Sequence, residues 1–116
     1  MKNKIRGKQG EHLAVEFLEG KGFSILETNY YASRYGEIDI IAKKDGIIVF
    51  VEVKTRTTLS YGHPFESINA QKLSKMQKAA FYYLEEKKPK YKAIRLDGIA
   101  VILSSDEIFH LENISF

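Results

Sequence analysis

Three residues near the middle of the chain bring together the groups that phosphodiester chemistry needs. Asp39 lies in the string GEIDIIA, and Glu52 and Lys54 lie in VFVEVKTR. Between the strings stands Asp45-Gly46, a strong signal for a two-residue hairpin turn. With that turn Lys44 opposes Ile47, and counting outward Asp39 faces Glu52 across the strand pair. Directly opposed residues carry Cβ atoms about 4.5 to 5.5 Å apart, and Lys54, two residues beyond Glu52, emerges on the same face. Opposed like charges in otherwise apolar strands cost stability unless a cation relieves them. Hard divalent ions such as Mg²⁺ take carboxylates together with water and substrate phosphate. In such a site the water becomes more acidic, and Lys54 would hold or polarise it against the phosphate. The competing reading is structural, with Asp39 and Glu52 as rim residues paired to Lys54 and Arg56. Zinc is disfavoured, because His12, His63 and His110 show no ligand spacing.

The elements that must position these groups follow from periodicity. Leu13, Ala14, Phe17 and Leu18 predict an amphipathic helix over residues 10–19, stopped by Gly20 and Gly22. On it Glu11 falls beside the arc of Val15 and Leu18, so it either leans toward the sheet or complements the helix dipole. A strand over 23–28 and a polar, aromatic turn over 29–35 follow. The hairpin strands are predicted at 37–43 and 47–54, and a loop at 55–65 lies beside whatever they carry. Asn69 caps a second helix over 70–86, with Leu73, Met76, Ala80, Tyr83 and Leu84 apolar, and Pro89 lies beyond its end. Opposite that apolar face, Gln71, Lys75, Lys78 and Tyr82 form a stripe that either tracks a phosphate backbone, the tyrosine stacking on bases, or is solvated surface. Strands at 95–103 and 108–114 complete the order α-β-β-β-α-β-β, an α/β fold with a mixed central sheet flanked by helices. Asp97, in RLDGIAV, either supports the site or interrupts a strand end.

Bulk properties narrow the classes. At 116 residues the chain is expected to form one domain, 1–116, with a single core. A 44% hydrophobic and 28% charged composition argues against disorder. The lack of cysteine excludes disulfides and thiolate metal sites. No apolar run is long enough for a secretory signal or a membrane span, so a cytoplasmic protein without membrane association is expected. The net charge of +3 mildly favours polyanions as partners.

The strings QGEHLAVEFL, GFSILETNYY, GEIDIIA, VFVEVKTR, AAFYYL and RLDGIAV, in this order over nearly the whole chain, resemble the bacterial YraN-like family of small uncharacterised proteins. That family is similar to archaeal Holliday-junction resolvases and belongs by fold to the PD-(D/E)xK restriction-endonuclease-like superfamily. The resemblance implies Asp39 as the motif aspartate, Glu52 and Lys54 as the ExK pair, and Glu11 as the helix-one acid. It thus implies Glu11, Asp39, Glu52 and Lys54 as catalytic residues, with Asp39, Glu52 and Glu11 toward the metal. It further implies Mg²⁺ or Mn²⁺ as cofactor and DNA, branched or single-stranded, as substrate, with Arg56 and Lys72 as phosphate contacts. Two departures stand out. Tyr30 and Tyr31 follow Asn29 where the family often has arginine, and Lys72-Leu73 replaces a frequent Lys-Gln, with Gln71 nearby.

The resulting expectation is a metal-dependent DNA endonuclease, a homodimer if its substrate is a symmetric junction. The alternative is a non-catalytic nucleic-acid-binding protein retaining a nuclease fold. A third reading, a protein-interaction module, draws on Tyr30, Tyr31, Tyr35 and Tyr61 as exposed aromatics.

Overall fold

The structure is a computed structural model and describes residues 2–60 and 62–114. Tyr61, one of the aromatics named above, lies outside the described residues. The elements are α1 (Lys2–Gly20), β1 (Ser24–Tyr31), β2 (Glu37–Lys44), β3 (Ile47–Arg56), α2 (Ala70–Lys87), β4 (Ala93–Ile102) and β5 (Glu107–Leu111). The order is the one expected, and the five strands form one mixed sheet in the sequence β1-β2-β3-β4-β5. All neighbours are antiparallel except β3 and β4, which run parallel because α2 carries the chain back across the sheet. Among the described residues no helix is long and apolar enough to cross a membrane.

Several boundaries differ from expectation for identifiable reasons. Helix α1 starts at Lys2 rather than near residue 10, with Gly7 and Gly10 inside it, glycines that weaken a helix forecast from propensity. Strand β1 continues through Asn29, at φ 52°, to Tyr31, so the expected turn shrinks to a 3₁₀ segment at Ser33–Tyr35. A second 3₁₀ segment, Pro64–Ser67, closes the loop after β3, and β5 ends at Leu111. The Asp45-Gly46 turn and the Asn69 cap form where expected. Both turn residues have positive φ, and the Asn69 side chain accepts the Lys72 N–H at 2.9 Å.

The sheet has an apolar cluster on each side. Toward α1 lie Ala14, Leu18, Ile40, Val49, Val51 and Val101; toward α2 lie Ile41, Ile48, Phe50, Leu73, Met76 and Tyr83. Strand β3 feeds both clusters because it is central and covered on both faces, which is why its sequence runs apolar without alternation. Tyr30 is also inside, edge-on to Tyr83, with its hydroxyl donating to the Glu86 carboxylate. Tyr35 is half-buried against Tyr82, so of the described tyrosines proposed for an interaction surface only Tyr31 is exposed, at 70%. Tyr82 is half-buried and lies against Tyr30 and Tyr35. The reason is that α2 packs over β2 and the 3₁₀ segment that follows β1, and rings facing each other across that contact bury together.

Gly10 sets how closely α1 lies on the sheet. It is buried, and a Cβ there would come within 1.9 Å of Thr55 Oγ1 and 2.9 Å of Thr55 Cβ. Gly7, one turn earlier, has nothing within 4 Å of the corresponding point. Opposite outcomes are therefore expected within one helix. Gly10→Ala should destabilise by about 1 to 3 kcal/mol through overpacking. Gly7→Ala should stabilise by up to about 1 kcal/mol through helix propensity. Urea unfolding of both variants checks this, and equal shifts would refute the close contact.

Candidate functional site

The hairpin ladder pairs Lys44 with Ile47 and continues to Ile40 opposite Val51, the register expected from the turn. One step further the regular pairing of β2 with β3 stops. There the Asp39 carboxylate, through Oδ2, accepts the Val53 N–H at 2.8 Å. The side-chain alternation of β2 also breaks at this point, since Ile38 joins the cluster under α2 while Ile40 joins the one under α1. Asp39 thus sits at a fork between strands and turns its carboxylate across the opening rather than squarely onto one face. This differs from the simple cross-strand pair that counting predicts, because the side chain has replaced a ladder hydrogen bond.

Glu52 and Lys54 follow the alternation of Ile48 and Phe50 toward the α2 side. Glu52 is buried, at 9% exposure, and its carboxylate has two cationic partners, Lys72 Nζ at 3.2 Å and Lys54 Nζ at 3.7 Å. Lys72, expected from resemblance as a phosphate contact, is therefore the closer partner of Glu52. Nothing local in the sequence announces that pairing, which α2 creates by crossing the sheet.

A cavity of about 460 Å³ opens at the fork, lined by Asp39, Lys54, Thr55, Arg56, Thr57 and, from α1, Arg6 and Glu11. Glu11 is half-buried while Glu16 and Glu19 are exposed, so of these three acids it is the one turned toward the sheet. Arg56 lies at the mouth, its guanidinium donating to the Thr55 carbonyl at 2.9 Å. Gln71 and Lys75 are exposed on α2, the Lys75 stem lying over Gly36.

Electrostatics at the fork is dominated by Asp39. Burial pushes its carboxyl up to about 7, and the neighbouring Glu52 charge pushes the same way. The Val53 N–H opposes this, Glu11 adds to it and Lys72 opposes it. A carboxyl held that high is chiefly a desolvated one, with a neighbouring acid adding to the shift. Among the described residues no group of three or more His, Asp or Glu side chains is drawn together as a metal-ligand cluster. What the fork offers is two carboxylates on adjacent strands with Glu11 facing Asp39 from α1. The two strand carboxylates alone match the one or two that a hard divalent cation usually takes, its remaining positions being filled by water and phosphate.

Asp97 lies outside this cavity. It is fully buried and accepts both Arg95 Nε and a terminal Arg95 nitrogen at 2.8 and 2.9 Å, His110 Nε2 at 2.7 Å and the Asn113 N–H at 3.0 Å. His110 Nδ1 in turn lies 2.8 Å from Lys21 Nζ, so the tautomer with its proton on Nε2 satisfies both neighbours. Burial alone would raise the Asp97 carboxyl, but the bonds from His110, Arg95 and Asn113 together hold it below the usual range. Asp97 thus ties β4 to β5 and the segment after it.

Comparison with known proteins agrees with the motif strings. The model described as "Uncharacterised protein family UPF0102" matches residues 10–101. A UPF0102 protein of Dictyoglomus turgidum is 49% identical over 104 residues, covering 90% of this chain and 87% of its own. One of Persephonella marina is 46% identical, covering 94% and 91%. One of Clostridioides difficile is 43% identical, covering 97% and 98%. The matched span runs from Gly10 at the α1 contact through the fork to the end of β4, and the chain belongs to the UPF0102 family.

Proposed function

We propose that this chain is a metal-dependent nuclease of the PD-(D/E)xK kind that hydrolyses DNA phosphodiesters, with branched DNA among its substrates. The observation that carries this reading is the fork, where Asp39 on β2 and Lys54 on β3 line a cavity whose other wall presents Glu11, while Glu52 lies beside it, paired to Lys54 and close enough for its charge to act on Asp39. Asp39 and Glu52 would hold Mg²⁺ or Mn²⁺. The bound ion would supply Lewis-acid polarisation of the phosphate and a more acidic water. Lys54 Nζ would donate to the attacking water or to a non-bridging phosphate oxygen and offset the charge that builds there. Glu11 would orient the same water by accepting a hydrogen bond. The water oxygen bonds to phosphorus, one ester P–O bond breaks, and a phosphate monoester and a free hydroxyl result. Lys72 would neutralise Glu52 until the cation arrives, and then be free, with Arg56, Gln71 and Lys75, to contact backbone phosphates.

The second reading is a nucleic-acid-binding protein without catalysis. The ion pairs from Lys72 and Lys54 to Glu52 favour it, because they satisfy that carboxylate without any bound ion. Mn²⁺ titration by calorimetry into wild type and Glu52→Gln, followed by a panel of flapped, branched and single-stranded DNA, separates the two. The nuclease reading expects a binding heat lost in Glu52→Gln and cleavage lost in Asp39→Ala and Lys54→Ala. DNA binding that survives chelation and both substitutions, without cleavage of any substrate, would establish the alternative.

A further inference from the structure

A second cavity, about 480 Å³, adjoins the one at the fork and shares Arg6, Arg56 and Thr57 with it. Beyond those shared residues its walls include Thr58, His63 and Ser67. The two hollows therefore form one groove with a pair of guanidinium groups at the border. Both groups are held in place, Arg6 donating to Thr57 Oγ1 at 2.8 Å and Arg56 donating to the Thr55 carbonyl at 2.9 Å. Fixed forked donors of this kind suit a phosphate better than a flexible ammonium does. The far wall carries a flat ring. His63 takes the Phe65 N–H on Nδ1 at 3.2 Å and packs against Phe65 and Phe109, with centroids at 4.9 and 5.3 Å. Glu66 also lines this cavity, beside Gly62, and disfavours a second anion at that end.

A phosphate between the arginines with a base against His63 is one nucleotide, and the cavity is of small-ligand size. Bases in a duplex face their partners and cannot enter a hollow in a protein wall unless they leave the stack. We propose that the second cavity binds the unpaired nucleotide adjoining the scissile phosphate, with Arg6 and Arg56 on the phosphate between them, so that the substrate class is DNA single-stranded next to the cut. This rests on the nuclease reading for the identity of the fork, but its test does not require cleavage.

Fluorescence anisotropy with a labelled thymidine decamer and a blunt hairpin duplex of equal charge, at low salt with EDTA, reads the subsite directly. The decamer is expected to bind about tenfold tighter than the duplex. Arg6→Ala and Arg56→Ala should each weaken it about tenfold and lower the salt slope by about one. His63→Ala should weaken the decamer and leave the duplex unchanged. These three residues are exposed or half-buried, so the variants are expected to fold. Equal affinity for decamer and duplex, or decamer affinity indifferent to Arg6 and His63, overturns the subsite even if the protein cuts DNA. Subsite binding with no cleavage under any divalent metal would overturn the nuclease reading alone.

Discussion

The Asp97→Ala variant is expected to lose about 3 to 5 kcal/mol of unfolding free energy at neutral pH. The substitution removes the common acceptor of four donors and leaves the Arg95 and His110 side chains, 21% and 4% exposed, facing a void. Cavity formation adds to the loss of charge pairing. Because the folded-state carboxyl is held below its ordinary value, its contribution is present above the unfolded-state pKa and disappears as pH falls through the folded one. The gap between wild type and variant should therefore shrink in acid. Denaturant unfolding at pH 7 and in the acid range measures both effects. A difference under about 1 kcal/mol at pH 7 would mean that the network contributes little to stability.

Asp39→Asn is expected to act in the opposite direction. The Asp39 carboxyl is raised to about 7, so the folded protein holds that proton more tightly than the unfolded chain does. Stability is then lost as pH rises from about 4 toward 7, and the full penalty is present above 7. Asparagine keeps the shape and an acceptor for the Val53 N–H but carries no charge. In the presence of EDTA the variant should match wild type near pH 4 and exceed it by about 2 kcal/mol at pH 8, a figure reduced from full linkage for partial solvent access. Thermal melts across that range provide the measurement. A gap that does not widen with pH would show that the fork does not strain its carboxylate.

The comparison of these two aspartates shows how far local pattern reaches. The hairpin register from Lys44–Ile47 to Ile40–Val51 was legible because a two-residue turn fixes it, whereas the Asp39 carboxylate leaving the ladder for the Val53 N–H was not. The Asn69 cap and the apolar face of α2 were legible for the same reason, each being a short-range rule. Asp97 remained undecided because its partners, Arg95 excepted, come from β5 and the segment after it, and no local signal links them. The Lys72 pairing with Glu52 and the contact of Gly10 with Thr55 depend in the same way on how helices lie across the sheet. Tyr30 was misread as surface because aromatic residues beside a turn look exposed until the helix that covers them is placed. Glu11 lay between these cases, since helical phase gives its direction but not what it faces.

The sheet order also has a kinetic meaning. Strand β3 is the middle of five, hydrogen-bonded to β2 on one side over Ile47–Val51 and to β4 on the other over its full length. Amide exchange at its centre thus requires both ladders to open, which costs close to global unfolding, whereas β1 and β5 can fray at their outer edges. Glu52 and Lys54 lie just past the end of the β2 ladder, so they sit at the edge of this slow-exchanging segment, tied to β2 there only through the bond from the Val53 N–H to Asp39.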